Sequence, residues 1–192
     1  MRSQEFIDKH YLRIAKEISN LSYALRMKVG CVIVKDCQIV SDGYNGTPSG
    51  FCNCCEYHTN PEKQKSLEEK AIREEWTDEN WIKNLEQIAE FNEELGYDCL
   101  KTKPEVLHAE TNAITKLSKS TFESDDATIY ITHEPCFDCS KLIIQAGIKR
   151  VVYWKPYRLH DGIELLKQAN IEVVQYDNID IKTFELHGII SK

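Results

Sequence analysis

Two short stretches carry residue types that hold a metal and move protons: His108-Ala109-Glu110 and Pro135-Cys136-Phe137-Asp138-Cys139. His108, Cys136 and Cys139 offer one imidazole and two thiolates. That is a three-ligand zinc set, and a hydrolytic zinc keeps its fourth position for water. The metal lowers the pKa of such a water from ~16 to about 7, which makes a nucleophile available at neutral pH. Glu110 need not touch the metal, and its task would be to carry protons between water and substrate. A C-x-x-C by itself also suits a structural zinc half-site or a redox pair, and an H-x-E by itself is common by chance. The two together, in this order and with Pro135 before the first cysteine, favour water activation.

These side chains need helix starts to hold them. Cys136 and Cys139, at i and i+3, share one helix face, and Pro135 suits the first helical position. Ser140 to Ala146 continues that helix and Gly147 stops it. Thiolates there are favoured by the unpaired N–H groups and the helix dipole. His108 and Glu110, at i and i+2, would diverge in mid-helix. They converge only if the metal sits off the first turn, which Pro104 just upstream permits.

The 192 residues suit a single domain, 1–192, with a helical acidic insertion at about 51–104. A hydrophobic fraction of 42 % is enough for a core. No apolar run has membrane-spanning length, and Met1-Arg2-Ser3-Gln4-Glu5 leads into a polar amphipathic helix and not a signal peptide. The eight cysteines are therefore expected to be reduced thiols of a cytoplasmic protein. Residues 62–94 hold eleven acidic and five basic residues, so this stretch carries −6 of the net −7. No basic face for a polyanion is apparent, which argues against nucleic acid as a partner and tilts the substrate toward a free nucleotide or nucleoside.

In chain order, residues 4–20 read as an amphipathic helix with Phe6, Ile7, Tyr11, Ile14, Ala15 and Ile18 on its apolar face. Arg26 and Lys28 either meet a substrate phosphate or face water. Cys31-Val32-Ile33-Val34, a turn, and Ile39-Val40-Ser41-Asp42 form a hairpin. Gly43 to Gly50, with three glycines, Asn45 and Pro48, is expected to break regular structure and form a loop beside a ligand. Cys52, Cys54, Cys55 and His58 are either packed thiols or part of a second zinc site; so compact a cluster favours packing. Residues 61–95 read as helices, the second capped by Thr77, with Trp81, Leu85, Ile88 and Leu95 as a stripe interrupted by Asn92. Ala127 to Thr132, Arg150 to Trp154 and Ile171 to Val174 are strands, and Asp161 to Ala169 is a helix. Strand, cysteine helix, strand, helix, strand implies a parallel portion joined to the hairpin. The expected architecture is α/β: three layers, α-β-α, around a five-stranded mixed sheet, ending in a short helix after Asp177.

With these residues assembled, the chain resembles the cytidine deaminase-like superfamily, and most closely the deoxycytidylate (dCMP) deaminases, especially phage members. The metal motifs are shared across the superfamily. Gly43-Tyr44-Asn45-Gly46 and Asn112-Ala113-Ile114 are more particular to dCMP deaminases than to tRNA adenosine or guanine deaminases. The resemblance implies hydrolysis of dCMP to dUMP and ammonia, with zinc on His108, Cys136 and Cys139 and with Glu110 as the proton shuttle. It implies that the Ala109 N–H meets the pyrimidine carbonyl and that Asn45 and Asn112 contact the sugar-phosphate side. It associates Gly43, Tyr44 and Gly46 with an effector. It further implies a homohexamer activated by dCTP and inhibited by dTTP, with magnesium accompanying the triphosphate. Some phage relatives carry a second zinc; Ala24 and Val106 stand at two of its ligand positions here, so Cys52, Cys55 or His58 would have to rebuild it. The rival readings are a deaminase of dCTP or cytidine, a nucleic-acid deaminase, and a zinc-stapled binding protein with no open metal position.

Overall fold

Alternation along one strand sets the layers. In β1 (Gly30–Lys35), Cys31 and Ile33 face one side of a sheet while Val32 and Val34 face the other, and all four are buried. Val32 and Val34 pack with Leu12 and Ala15 of α1 (Gln4–Ser19). Cys31 and Ile33 pack with Ala109 and Ala113 of α4 (Ala109–Leu117), Ile143 of α5 (Phe137–Gln145), and Ile163 and Leu166 of α6 (Asp161–Gln168). The sheet thus lies between α1 on one face and α4, α5 and α6 on the other, as expected. The protein is described from a computed structural model covering residues 2–90, 99–157 and 159–179.

The sheet has five strands in the order β2 (Gln38–Tyr44), β1, β5 (Thr128–His133), β6 (Arg150–Lys155) and β7 (Glu172–Gln175). β2, β1 and β5 are antiparallel neighbours, while β5, β6 and β7 run parallel, each pair linked by one of the helices α5 and α6. The β1–β2 turn puts Asp36 and Cys37 at positive φ, 49° and 62°, which matches the right-handed twist of a two-residue hairpin.

Several expectations change. Gly43 and Tyr44 belong to β2 and are not loop. Gly43 stays in the strand because α4 crosses directly over it: a Cβ there would lie 2.2 Å from the Ala109 carbonyl oxygen. The insertion contains α2 (Pro61–Arg73) and α3 (Asp78–Glu90), the latter capped by Thr77, whose Oγ1 accepts from the Asn80 N–H. It also contains an antiparallel pair the sequence did not suggest, β3 (Glu56–His58) with β4 (Leu100–Thr102). Three-residue strands are too short to show alternation. Asn92 and Leu95 of the insertion's expected stripe, and most of the final helix expected after Asp177, lie outside the described residues.

The buried face of α1 is also not the apolar stripe alone. It runs Asp8, Leu12, Ala15 and Ser19, while Phe6 is 44 % exposed. Asp8 is fully buried and meets Arg150 of β6 through two 2.8 Å hydrogen bonds, and it also accepts from the hydroxyls of Tyr130 and Tyr176. Burial alone would raise its pKa; donation from Arg150, Gln4 and Tyr176 outweighs that and holds the carboxyl below its ordinary value. Removing one partner of such a pair leaves an uncompensated charge, so Asp8→Ala should destabilise the fold by about 3–5 kcal/mol in chemical denaturation. Because the folded pKa is depressed, this contribution is present above the unfolded carboxylate pKa and is lost as pH falls through the folded value. Asp8→Asn should flatten the acid limb of the stability curve.

Candidate active site

The site is built from two helix starts that approach across the sheet end. His108 is the N-cap of α4, with extended backbone (φ −71°, ψ 158°), and its carbonyl accepts from the Asn112 N–H. Its approach is fixed one residue earlier, where Leu107 and Gly46 exchange backbone hydrogen bonds of 2.8 and 3.1 Å. Cys136 is likewise the N-cap of α5 (φ −71°, ψ 169°). Pro135 therefore precedes the cap and is not the first helical residue; it fixes the extended entry from β5. Having each motif begin on a cap and not inside a helix is what lets i, i+2 and i, i+3 residues turn to one point.

His108 Nδ1 lies 3.5 Å from Cys136 Sγ and 3.4 Å from Cys139 Sγ. All three ligand atoms fall within 4.8 Å of one another. One imidazole and two thiols at this spacing suit a zinc ion, which takes these donors at about 2.0–2.3 Å. Without metal, the hydrogen bond with Cys139, helped by His108, holds the Cys136 thiol down at about 4. The same bond and burial push Cys139 up, so the pair keeps one thiolate. Hydrogen bonding to Cys136 raises His108.

Glu110, in the first turn of α4, is 4 % exposed and within electrostatic reach of His108, Cys136 and Cys139. Burial pushes its carboxyl up to about 6, against the opposing effect of backbone and thiol donors. A carboxyl in that range exchanges protons readily near neutral pH.

These groups open onto a cavity of about 460 Å³, a volume in the range of small-molecule sites. Of the residues expected from sequence, Arg26, Asn45, His108, Ala109, Glu110 and Cys136 line it; Lys28, Gly43, Tyr44, Gly46, Asn112 and Cys139 do not. Asn45 has its side chain engaged with backbone, accepting from Val29 N–H at 2.8 Å and donating to the Met27 carbonyl at 2.9 Å. Asn112 donates to the Tyr44 carbonyl at 2.9 Å, which ties α4 to β2.

Sequence reasoning missed part of the wall. Thr102 brings the insertion to the cavity, Val106 follows just after it, and His133, Glu134 and Tyr157 close another side. His133 is pushed down to about 4 by burial and by nearby Lys155 and Lys16, so it is neutral at physiological pH. Glu134 is buried; it accepts from the Tyr157 N–H at 3.1 Å and lies 2.9 Å from His160 Nδ1, which draws the Tyr157 segment over the cavity. The pair His133-Glu134 directly before Pro135 was a usable signal. Tyr157 offered none.

The second cysteine cluster gathers differently from its sequence order. Cys52, Cys54 and Asp78 bring ligand atoms within 4.8 Å of one another. Cys55 turns to the Asn53 carbonyl, and His58 Nδ1 accepts from the Asn60 N–H. Burial lowers the His58 pKa, and its Nε2 is buried without a hydrogen-bond partner among the described residues.

Residues 6–155 match the family described as the cytidine and deoxycytidylate deaminase zinc-binding region. The chain is 33 % identical over 165 residues to the deoxycytidylate deaminase of Enterobacteria phage T4, covering 84 % of this chain and 86 % of that protein. It is 32 % identical over 176 residues to ComE operon protein 2 of Bacillus subtilis, covering 87 % and 74 %. Among solved structures, the dCMP deaminase of cyanophage S-TIM5, in complex with dCMP and dUMP, superposes with a TM-score of 0.66 at 35 % identity, covering 91 % of this chain and 100 % of that one.

Proposed function

The chain belongs to the cytidine and deoxycytidylate deaminase zinc-binding family, and on that premise we propose that it hydrolyses dCMP to dUMP and ammonia. The observation that carries this is the meeting of His108, Cys136 and Cys139 beside buried Glu110, on a cavity that Arg26 also lines. Zinc bound by those three ligands would supply a nucleophilic oxygen from water at neutral pH.

The chain's own residues do the rest. Glu110 accepts a proton from water, delivers it to ring N3, and serves again as the amine leaves as ammonia. Ala109 stands first in α4, where N–H groups have no intrahelical partner, and its N–H holds the pyrimidine carbonyl. Arg26 takes the phosphate, with Lys28 adding charge nearby. Asn45 and Asn112 act on the sugar-phosphate side by holding the Met27–Val29 backbone and the Tyr44 carbonyl.

The same reading gives one domain over 1–192 with its insertion at about 51–104, in the cytoplasm. It extends to a homohexamer regulated by dCTP and dTTP, with magnesium on the triphosphate and with Gly43, Tyr44 and Gly46 near the effector; support for this is the likeness of Gly43-Tyr44-Asn45-Gly46 to such enzymes. Among the described residues no helix is long and apolar enough to cross a membrane.

A panel of cytidine, deoxycytidine, dCMP, dCTP, single-stranded DNA and RNA, assayed for ammonia, tests the substrate. dCMP is expected to give the highest kcat/KM. Preference for dCTP or a nucleoside would reassign the substrate, and salt-sensitive turnover of a polynucleotide would overturn the free-nucleotide reading. Repeating the dCMP arm with dCTP or dTTP tests regulation: an unchanged rate-versus-substrate curve would remove it.

A further inference from the structure

We infer that Glu56, a buried residue of the insertion, is a positioning residue that aims Arg26 at the phosphate of the nucleotide. The inference rests on the deaminase reading above and adds a specificity role for a segment outside both metal motifs.

Glu56 opens β3 and is 3 % exposed. One of its oxygens, Oε1, accepts from two successive backbone N–H groups, Leu25 at 3.1 Å and Arg26 at 3.3 Å. A single carboxylate oxygen gripping both amides fixes the backbone at the point where the Arg26 side chain leaves it. That backbone has no ladder of its own, because residues 25–29 fall between α1 and β1. Its other end is held by the Asn45 side chain at Met27 and Val29. The segment is therefore pinned twice, and three of its residues, Arg26, Met27 and Val29, line the cavity.

Arg26 is the one lysine or arginine among the lining residues described, so a nucleotide's phosphate has one permanent cation to meet there. Burial raises the Glu56 pKa above its ordinary value, and the amides of Leu25 and Arg26, with the nearby charges of Arg26 and Lys103, act against that and favour the charged form. β4, the partner strand of β3, supplies Thr102 to the same cavity. The insertion thus contributes both a wall and the brace behind the cation. If Glu56 only satisfied two amides for the sake of folding, its loss would lower stability and catalysis generally. If it aims Arg26, its loss falls on substrate affinity and depends on Arg26.

The test is steady-state kinetics with dCMP on the zinc-loaded full chain, for Glu56→Ala and Glu56→Gln, each alone and combined with Arg26→Ala. Glu56→Ala should raise KM about tenfold with kcat within about threefold. Glu56→Gln keeps one carbonyl oxygen for both amides and should raise KM about threefold. In the Arg26→Ala background both increases should shrink below about twofold, since the brace then has nothing to aim. An unchanged KM, a fall in kcat matching the rise in KM, or a KM increase that persists without Arg26 would overturn the inference. Should Glu56→Ala fail to fold, Glu56→Gln in the two backgrounds decides by the same criterion. A wild-type protein that leaves dCMP intact would overturn the deaminase reading itself, a result distinct from any of these.

Discussion

Glu110→Gln is expected to bind zinc as the wild type does and to lose dCMP turnover by about 10⁴-fold, the upper end of what one positioned proton carrier contributes. The upper end is appropriate because, in the proposed mechanism, the same carboxylate serves twice, at N3 and at the departing amine. Glutamine matches glutamate in shape, so the first turn of α4 and the packing around it should persist. The fold should not suffer either. Burial pushes the Glu110 carboxyl up to about 6, so its charge is held at neutral pH against its own desolvation, and a neutral amide removes that cost. Zinc content, melting temperature and kcat together check this: unchanged metal, unlowered melting temperature, activity gone. A Glu110→Gln protein retaining about a tenth of the wild-type rate would mean that protons travel by another group.

Cys136→Ala should abolish both metal and activity. Two donors, His108 Nδ1 and Cys139 Sγ, would remain of the three that converge, too few for a zinc site. The metal-free wild type keeps one thiolate at neutral pH, because the bond between the two thiols holds Cys136 down at about 4 while Cys139 is pushed up. Zinc must displace the remaining proton, and also any proton on His108, whose pKa is raised, so affinity should fall with acidification. Metal analysis after dialysis at neutral and mildly acidic pH reads out both effects. Full zinc content in Cys136→Ala would show that another side chain completes the set.

Much of this was legible in the residues. The H-x-E and P-C-x-x-C spacings pointed to His108, Cys136 and Cys139, whose ligand atoms do come together, since zinc chemistry demands those atom types in few arrangements. The runs rich in β-branched and aromatic residues at Val32 to Val34, Ile129 to Ile131 and Val151 to Trp154 gave the sheet, and their alternation with helices gave its mixed sense. What could not be read depended on contacts far apart in sequence. Nothing in the local pattern of residues 4–20 marks Asp8 as the buried partner of Arg150, 142 residues away. Gly43 looked like a loop glycine and is a strand residue under α4. Glu56 carries no local signal of its own, yet it grips the amides of Leu25 and Arg26. Pro135 shows how local rules err by a position: it shapes the entry to a helix whose cap is Cys136, one of the three candidate metal ligands.

The central claim is tested most directly by measuring dCMP conversion to dUMP and zinc content on the same sample, first stripped by a chelator and then titrated with zinc. Conversion is expected to be absent without metal and to rise in proportion to zinc until each chain holds one ion at His108, Cys136 and Cys139. Conversion that survives complete removal of the metal, or a zinc-saturated protein that leaves dCMP unchanged, would contradict the account.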